Sequence, residues 1–168
     1  MPVYLFTLHA YGSWMPDHRR GYTHRGDGVR PKDEDMANRC QSRMPSDAVA
    51  FSHQAQTIIT AALREKCTLK GWRLYAVATD ETHIHTMLGW TGFTPWEEVR
   101  RGLKSSLTRQ LNQQLTRRTW FSKSGSRKRV TDPKHFDHLM TTYLPSHRGM
   151  NFFDPPQVDQ PGEASPRG

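Results

Sequence analysis

Three short runs of apolar, β-branched and aromatic residues predict β-strands. Residues 3–10 (VYLFTLHA) predict a buried first strand. Residues 72–79 (WRLYAVAT) and 82–90 (THIHTMLGW) predict two more, separated by Asp80 and Glu81. Because a connection this short joins adjacent antiparallel strands, the pair is expected to form a hairpin.

Two longer stretches place apolar residues at helical spacing. In the first, Ser46 or Asp47 is expected to cap a helix that runs to about Lys70 and ends at Gly71. Glycine is favoured just past a helix end because it adopts the left-handed backbone conformation without strain.

The second predicted helix has the clearest start signal. Thr94 is the expected N-cap, Pro95 takes the first helical position, and Glu97 completes a capping box. Its buried stripe recurs at every fourth residue: Val99, Leu103, Leu107, Leu111 and Leu115.

The remaining segments show weaker periodicity. Residues 12–45 are rich in Gly, Arg, Asp and Pro and predict a long basic loop. A short strand or basic loop at residues 119–130 precedes a helix that opens with Asp132 and Pro133. Residues 151–168 are rich in Pro and Gly and predict a disordered tail.

The order of these elements predicts one domain over residues 1–150. Its expected fold class is α+β, with an antiparallel sheet, helices packed on one face, and a C-terminal helix.

The cysteines, Cys40 and Cys67, have no metal-site spacing, and no basic stretch precedes the apolar N-terminus. No apolar run approaches the length of a bilayer span, so we expect a soluble, cytoplasmic protein with no membrane partner.

The charge balance indicates a polyanionic partner. The chain carries a net charge of +8 with a sequence pI near 9.9. Between residues 100 and 134, eleven Lys and Arg face one acidic residue, Asp132. Nucleic acid is the commonest partner of such a segment, and a solvated helix face followed by a basic loop is the alternative.

The hairpin's second strand contains an H-x-H pattern. On a strand, residues two apart share a face, so His83 and His85 project together while Ile84 points to the other side. If helices cover the side of Ile84, both imidazoles lie on an open sheet floor, close enough to share a metal ion. Two solvent-facing histidines would give the same pattern, and the strand by itself does not exclude this.

The last helix carries a candidate nucleophile. Tyr143 and His147 are four residues apart, so in a continuous helix they would lie on one face. A tyrosine hydroxyl beside a metal-bound phosphate can attack phosphorus and form a phosphotyrosine. Because the ordinary pKa of tyrosine is about 10, its hydroxyl is a weak nucleophile unless the phosphate is polarised. Tyr143 could instead be an ordinary half-buried helix residue.

Together these features resemble the HUH single-tyrosine transposases, which include the REP-associated tyrosine transposases. The H-hydrophobic-H strand and the later tyrosine are the family's signature. The resemblance also covers YLFTLHAYGSWMPDHRRGY, GWRLYAVATDETHIHTML, and RRTWFSKSGSRKRV followed by HFDHLMTTYL. It spans roughly residues 3–149 in order.

The resemblance implies a ferredoxin-like fold and metal-dependent cleavage of single-stranded DNA, often beside a hairpin. It makes His83 and His85 metal ligands and Tyr143 the nucleophile that becomes linked to a 5′ phosphate.

The family's third ligand is usually an amide one turn past the tyrosine, where this chain has His147. Pro145 lies between them and can end or kink the helix. The implied cofactor is Mg²⁺ or Mn²⁺, and three imidazoles favour manganese or zinc over magnesium.

The basic segment is then expected to follow the DNA backbone, with Trp14 or Trp120 as a base-stacking platform. The predicted contacts are Arg100, Arg101, Lys104, Arg109, Trp120, Lys123, Arg127, Lys128 and Arg129.

Two other functions remain open on the sequence. A DNA-binding module that has lost strand transfer would keep these cations and not need Tyr143. A histidine-triad nucleotide hydrolase would need a third alternating histidine where Met87 stands. The oligomeric state is also open, with a homodimer as one possibility.

Overall fold

A five-stranded antiparallel sheet forms the centre of the molecule. The structure, a computed structural model, describes residues 1–13, 15, 21–24, 28–44, 46–123 and 125–154. In spatial order the strands are β6 (Ser126–Val130), β1 (Val3–His9), β5 (His83–Gly89), β4 (Arg73–Thr79) and β7 (Asn151–Phe153), numbered along the chain.

Two long helices cover one face of this sheet. They are α2 (His53–Lys70) and α3 (Trp96–Gln114), and they bury Phe6, Leu8 and Ile84 of the strands beneath them. The arrangement is ferredoxin-like. The elements follow in the order β1, α2, β4, β5, α3 and β6, and β1 lies between β6 and β5 in the sheet. The α+β fold class is therefore confirmed.

The helix ends differ in part from the predicted ones. Helix α2 begins later than expected, because Ser52 caps it through its hydroxyl, and it ends at Gly71 as predicted, with a φ of 64°. Helix α3 has Pro95 as its N-cap, and no side chain caps it there, so the predicted capping box is wrong. The carbonyl of Thr94 instead accepts a hydrogen bond from Nε1 of Trp90.

The C-terminal segment packs on the opposite face of the sheet. It consists of α4 (Pro133–His138), a π-helical turn (Leu139–Tyr143) and a 3₁₀ turn (Leu144–Ser146). Leu139 and Leu144 pack in a second apolar cluster with sheet residues that include Leu5 and Met87. This face is therefore partly covered, and the predicted open sheet floor is wrong.

Two predicted irregular segments contain regular structure. Within residues 12–45 the structure has a small hairpin of β2 (Tyr22–His24) and β3 (Gly28–Arg30), followed by helix α1 (Glu34–Ser42). Asp33 caps α1 by accepting from the backbone N–H of Met36. The predicted tail begins with β7, which pairs with β4, and residues 155–168 lie outside the described residues.

No helix among the described residues combines the length and apolar character needed to span a bilayer.

Candidate metal centre and nucleic-acid interface

Strand β5 places two histidines side by side on the face that the C-terminal segment covers. His83 and His85 alternate with Ile84, which lies in the core beneath the long helices. The two imidazole centroids are 4.9 Å apart. His85 is 4% exposed, whereas His83 is half-buried at the end of the strand. The predicted pairing of the two rings is thus present.

The C-terminal segment brings Tyr143 and His147 to the same place by a broken helix. Proline at position 145 offers no N–H and its ring would crowd the carbonyl four residues earlier in a regular α-helix. The backbone widens to a π-turn through Tyr143, tightens to a 3₁₀ turn, and is extended at His147. The rings of Tyr143 and His147 nevertheless lie 5.3 Å apart between centroids.

Three imidazoles converge around one point. His83, His85 and His147 each offer a nitrogen, and these atoms lie within 4.8 Å of one another. The centroid of the His147 ring is 4.7 Å from that of His85 and 5.4 Å from that of His83. A group of this kind can hold a divalent metal ion.

Each of these imidazoles is oriented through its Nδ1 atom. Nδ1 of His147 lies 3.1 Å from the carbonyl oxygen of Leu144, which can only accept, so this nitrogen carries the proton. Nδ1 of His85 and Nδ1 of His83 lie 2.9 Å from the hydroxyls of Thr7 and Thr82. Where those nitrogens also donate, all three Nε2 lone pairs remain for a metal, which is the arrangement that metal-binding histidines need.

The surroundings of the two β5 imidazoles favour their neutral form. Burial, followed by the nearby His83 and His147, lowers the pKa of His85 to about 3. Burial and His147 also lower the pKa of His83. Neutral imidazole is the form that binds metals, and a ring that resists protonation so strongly is a poor proton acceptor. The residues present therefore fit a metal better than they fit a general base.

Tyr143 reaches the cluster from the solvent side. Its hydroxyl lies 3.2 Å from Nε2 of His85, and the residue is 39% exposed. The phenol therefore stands at the metal-facing nitrogen of one candidate ligand and is open to an incoming strand.

A fourth histidine, which no sequence pattern singles out, lies nearby. His9 ends β1 directly opposite His83, and the two ring centroids are 6.1 Å apart. Thr7 is likewise brought to His85 by the β1–β5 register. Strand pairing is not local in sequence, so the register of the sheet was the signal that could have identified both residues.

The predicted basic residues of β6 divide between the two faces of the sheet. Lys128 pairs with Leu5, which belongs to the cluster on the histidine side, so its side chain projects on that side. Arg127 and Arg129 project on the helical side, where the guanidinium of Arg127 lies 4.4 Å from the ring centroid of Trp96.

The other predicted basic residues line a groove on the outer face of α3. The groove has a volume of about 960 Å³ and is lined by side chains that include Glu97, Arg100, Arg101, Lys104, Arg109, Arg117 and Lys123. Two of these cations also bind the chain itself. Arg100 donates to the carbonyl of Gly125, and Lys104 donates to the carbonyls of Ser122 and Lys123. The exposed Arg101, Arg109, Arg117 and Lys123 are better placed to meet a polyanion.

The predicted stacking platforms differ in the structure. Trp120 is 5% exposed and donates through Nε1 to Asn112, so its ring is a core residue and the prediction of a base-stacking role is wrong. Trp14 lies outside the described residues. The half-buried Trp96, which the sequence analysis did not single out, is instead flanked by the guanidinium groups of Arg100 and Arg127.

Comparison with known proteins gives no family assignment. No protein-family model and no curated protein matches the chain. One similar solved structure is a REP-associated tyrosine transposase bound to a REP hairpin, with 11% identity and a TM-score of 0.45. The match covers 82% of this chain and 61% of that one. Another is a candidate transposase from Deinococcus radiodurans R1, with 14% identity and a TM-score of 0.45, covering 89% of this chain and 94% of that one. At these values the likenesses identify no family, and the function has to be inferred from the site.

Proposed function

We propose that residues 1–150 form a metal-dependent endonuclease and strand transferase that acts on single-stranded DNA, of the HUH single-tyrosine transposase type. The observation that carries the proposal is the position of the Tyr143 hydroxyl, 3.2 Å from Nε2 of His85 within a cluster of three imidazoles. Such a site joins a nucleophile to a place for an electrophilic metal ion.

His83, His85 and His147 would hold the ion. A bound divalent ion supplies charge stabilisation at the phosphate and lowers the barrier to attack by a weak nucleophile. All three candidate ligands are nitrogen atoms, which favours Mn²⁺ or Zn²⁺ over Mg²⁺, an ion that prefers oxygen ligands. We therefore expect activity with Mn²⁺ to exceed activity with Mg²⁺.

The protein's own part in the reaction follows from Tyr143. Its phenolic oxygen attacks the phosphorus of a DNA phosphodiester, the new O–P bond forms, and the bond from phosphorus to the 3′ oxygen breaks. The phenol proton is released and the departing 3′ oxygen ends as a hydroxyl. That hydroxyl, or one from another strand, can attack the phosphotyrosine and restore the phenol, so the sequence of steps needs no ATP.

The low pKa of His85 bears on where the phenol proton goes. A ring whose pKa is about 3 does not hold a proton near neutral pH, so His85 is a candidate metal ligand and not the proton acceptor. Solvent is the proposed acceptor of the phenol proton. The side chain of Tyr143 is partly exposed, and we expect the departing proton to pass to water.

The substrate is inferred from charge and accessibility. The cations along α3 can bind the DNA backbone, and Lys128 adds a positive charge on the histidine side of the sheet. The sequence resemblance adds the expectation of a hairpin beside the cleavage site. Since Tyr143 lies beside the histidines of its own chain, the proposed reaction needs no second subunit, even if the protein is a homodimer.

The test is formation of a covalent adduct. Labelled single-stranded DNA incubated with the protein and Mn²⁺ should give an adduct that survives denaturation. Tyr143→Phe, His85→Ala and removal of the metal by chelation should each abolish it, whereas Tyr22→Phe, in the small β2–β3 hairpin, should not. Tight DNA binding without any adduct in the wild-type protein would favour the binding-module alternative and contradict strand transfer.

A further inference from the structure

A buried polar cluster joins the helical side of the sheet to the chain that follows His147. Gln56 of α2 is 5% exposed and Thr79 at the end of β4 is fully buried. Oε1 of Gln56 accepts from the backbone N–H of Met150 at 3.1 Å and lies 2.9 Å from the hydroxyl of Thr79. Nε2 of Gln56 donates to the carbonyl of Phe51.

The same cluster holds the backbone on both sides of Met150. The N–H of Gly149 donates to the carbonyl of Thr79 at 3.0 Å, and the hydroxyl of Thr79 also lies 2.8 Å from the carbonyl of Met150. The fit at position 149 leaves no room for a side chain. A Cβ atom there would lie 2.2 Å from Oε1 of Gln56 and 2.4 Å from the carbonyl oxygen of Thr79.

These contacts fix the chain immediately after the third imidazole. His147 has left the helix and its backbone is extended, so no helical hydrogen bond on its C-terminal side restrains it. Its carbonyl accepts from the side chain of Asn151, which pairs with β4 at Ala78. Ala78 lies directly opposite His85. The chain after His147 is therefore anchored at Gly149 and Met150 by the cluster around Gln56, and at Asn151 by β4.

We propose that Gln56 and Thr79 are positioning residues for the metal centre, acting through His147. The proposal rests on the proposed function, because it assumes that the three imidazoles bind a metal. A cluster whose polar groups are buried and mutually bonded is costly to disturb, since loss of one partner leaves the others unsatisfied. Outer partners of metal ligands commonly change metal affinity by about 10-fold to 100-fold when they are replaced.

The test is a double-mutant cycle on metal affinity, with Co²⁺ as the probe and the full chain. Gln56→Leu should weaken Co²⁺ binding by at least about tenfold, as measured by calorimetry, and should change the visible absorption of the bound ion. In a His147→Ala background the same substitution should change affinity by less than about twofold, because the residue through which it acts is already gone.

Two further variants separate positioning from general loss of stability. Thr79→Val removes only a hydroxyl from the cluster and should reproduce the effect, which keeps the test available if Gln56→Leu does not fold. Thr60→Val is the matched control. Thr60 is also buried in α2, but its hydroxyl donates to the carbonyl of Gln56 within the helix. Its loss should lower thermal stability without weakening Co²⁺ binding.

Unchanged Co²⁺ affinity in folded Gln56→Leu and Thr79→Val would overturn the inference. So would equal weakening in the wild-type and His147→Ala backgrounds, because the effect would not then pass through His147. Failure of the proposed function has a different result: His147→Ala and His85→Ala would bind Co²⁺ as tightly as the wild-type protein, or the wild-type protein would not bind it.

Discussion

Thr7 is the contact that orients the most buried imidazole. Its hydroxyl lies 2.9 Å from Nδ1 of His85, and both side chains are buried. If the hydroxyl accepts a hydrogen bond from Nδ1–H, the lone pair on Nε2 faces the cluster. Replacing Thr7 by valine removes the acceptor and leaves Nδ1 unsatisfied. We expect Mn²⁺ affinity to fall by roughly tenfold in Thr7→Val and to remain close to the wild-type value in Thr7→Ser, measured by calorimetry.

A threonine on the neighbouring strand provides a control of the same kind. Thr86 is fully buried, and no described group bonds to its hydroxyl. It lies opposite Phe6, so its side chain faces the long helices and not the histidines. Thr86→Val should leave Mn²⁺ affinity unchanged and raise the free energy of unfolding by about 1 kcal/mol, because it removes an unpaired buried hydroxyl. Equal loss of Mn²⁺ affinity in Thr7→Val and Thr86→Val would show that Thr7 has no specific effect on His85.

At the scale of elements, the features that local sequence specifies were predictable. The β4–β5 hairpin follows from two apolar runs joined by a tight turn, and the buried stripe of α3 follows from leucines at every fourth residue. Helix α1 was missed because its pattern is mostly polar. Ala37 is the buried residue of this helix, so the sequence has no helical repeat of apolar positions that would predict it.

Features that depend on distant parts of the chain were not predictable in the same way. The burial of His85 requires the C-terminal segment to fold back over the sheet, and the proximity of His9 requires the β1–β5 register. Trp120 reads as a possible stacking residue until Asn112 is seen to accept from its indole. The proximity of His83, His85, Tyr143 and His147 was expected from the sequence, whereas the positions of Thr7 and His9 beside them were not.

The groove on α3 is the element whose charge we expect to bind DNA. Arg101 and Arg109 are exposed and line it. The double variant Arg101→Ala, Arg109→Ala should weaken binding of single-stranded DNA. The slope of log affinity against log salt should become shallower by about 1.4, since each of the two lost phosphate contacts contributes about 0.7. Fluorescence anisotropy over a range of salt concentrations measures both quantities.

The control for this variant has the same change in charge elsewhere. Arg39 of α1 and Lys70 of α2 are exposed and do not line the groove. Replacing both by alanine should leave the salt slope within error of the wild-type value. If the two double variants have the same slope, α3 does not contact the DNA and net charge accounts for the binding.

At the scale of the whole molecule, the sheet separates the basic groove from the histidine cluster. Helix α3 lies on one side, and Tyr143 with its imidazoles lies on the other. The chain around Ser122 links the two regions. Lys104 of the groove donates to the carbonyl of Ser122, and the backbone N–H of Ser122 donates to the carbonyl of His9. We therefore expect one DNA molecule to lie along α3 and to reach Tyr143 around this end of the sheet.

Mass spectrometry shows whether Tyr143 becomes covalently linked to DNA, as we propose. After reaction with single-stranded DNA and Mn²⁺, digestion with nuclease and trypsin should yield the peptide HFDHLMTTYLPSHR. This peptide follows Lys134, ends with Arg148 and contains Tyr143 as its one tyrosine. We expect a nucleotide joined to that tyrosine through its 5′ phosphate. A nucleotide on another residue, or attachment through a 3′ phosphate, would contradict it.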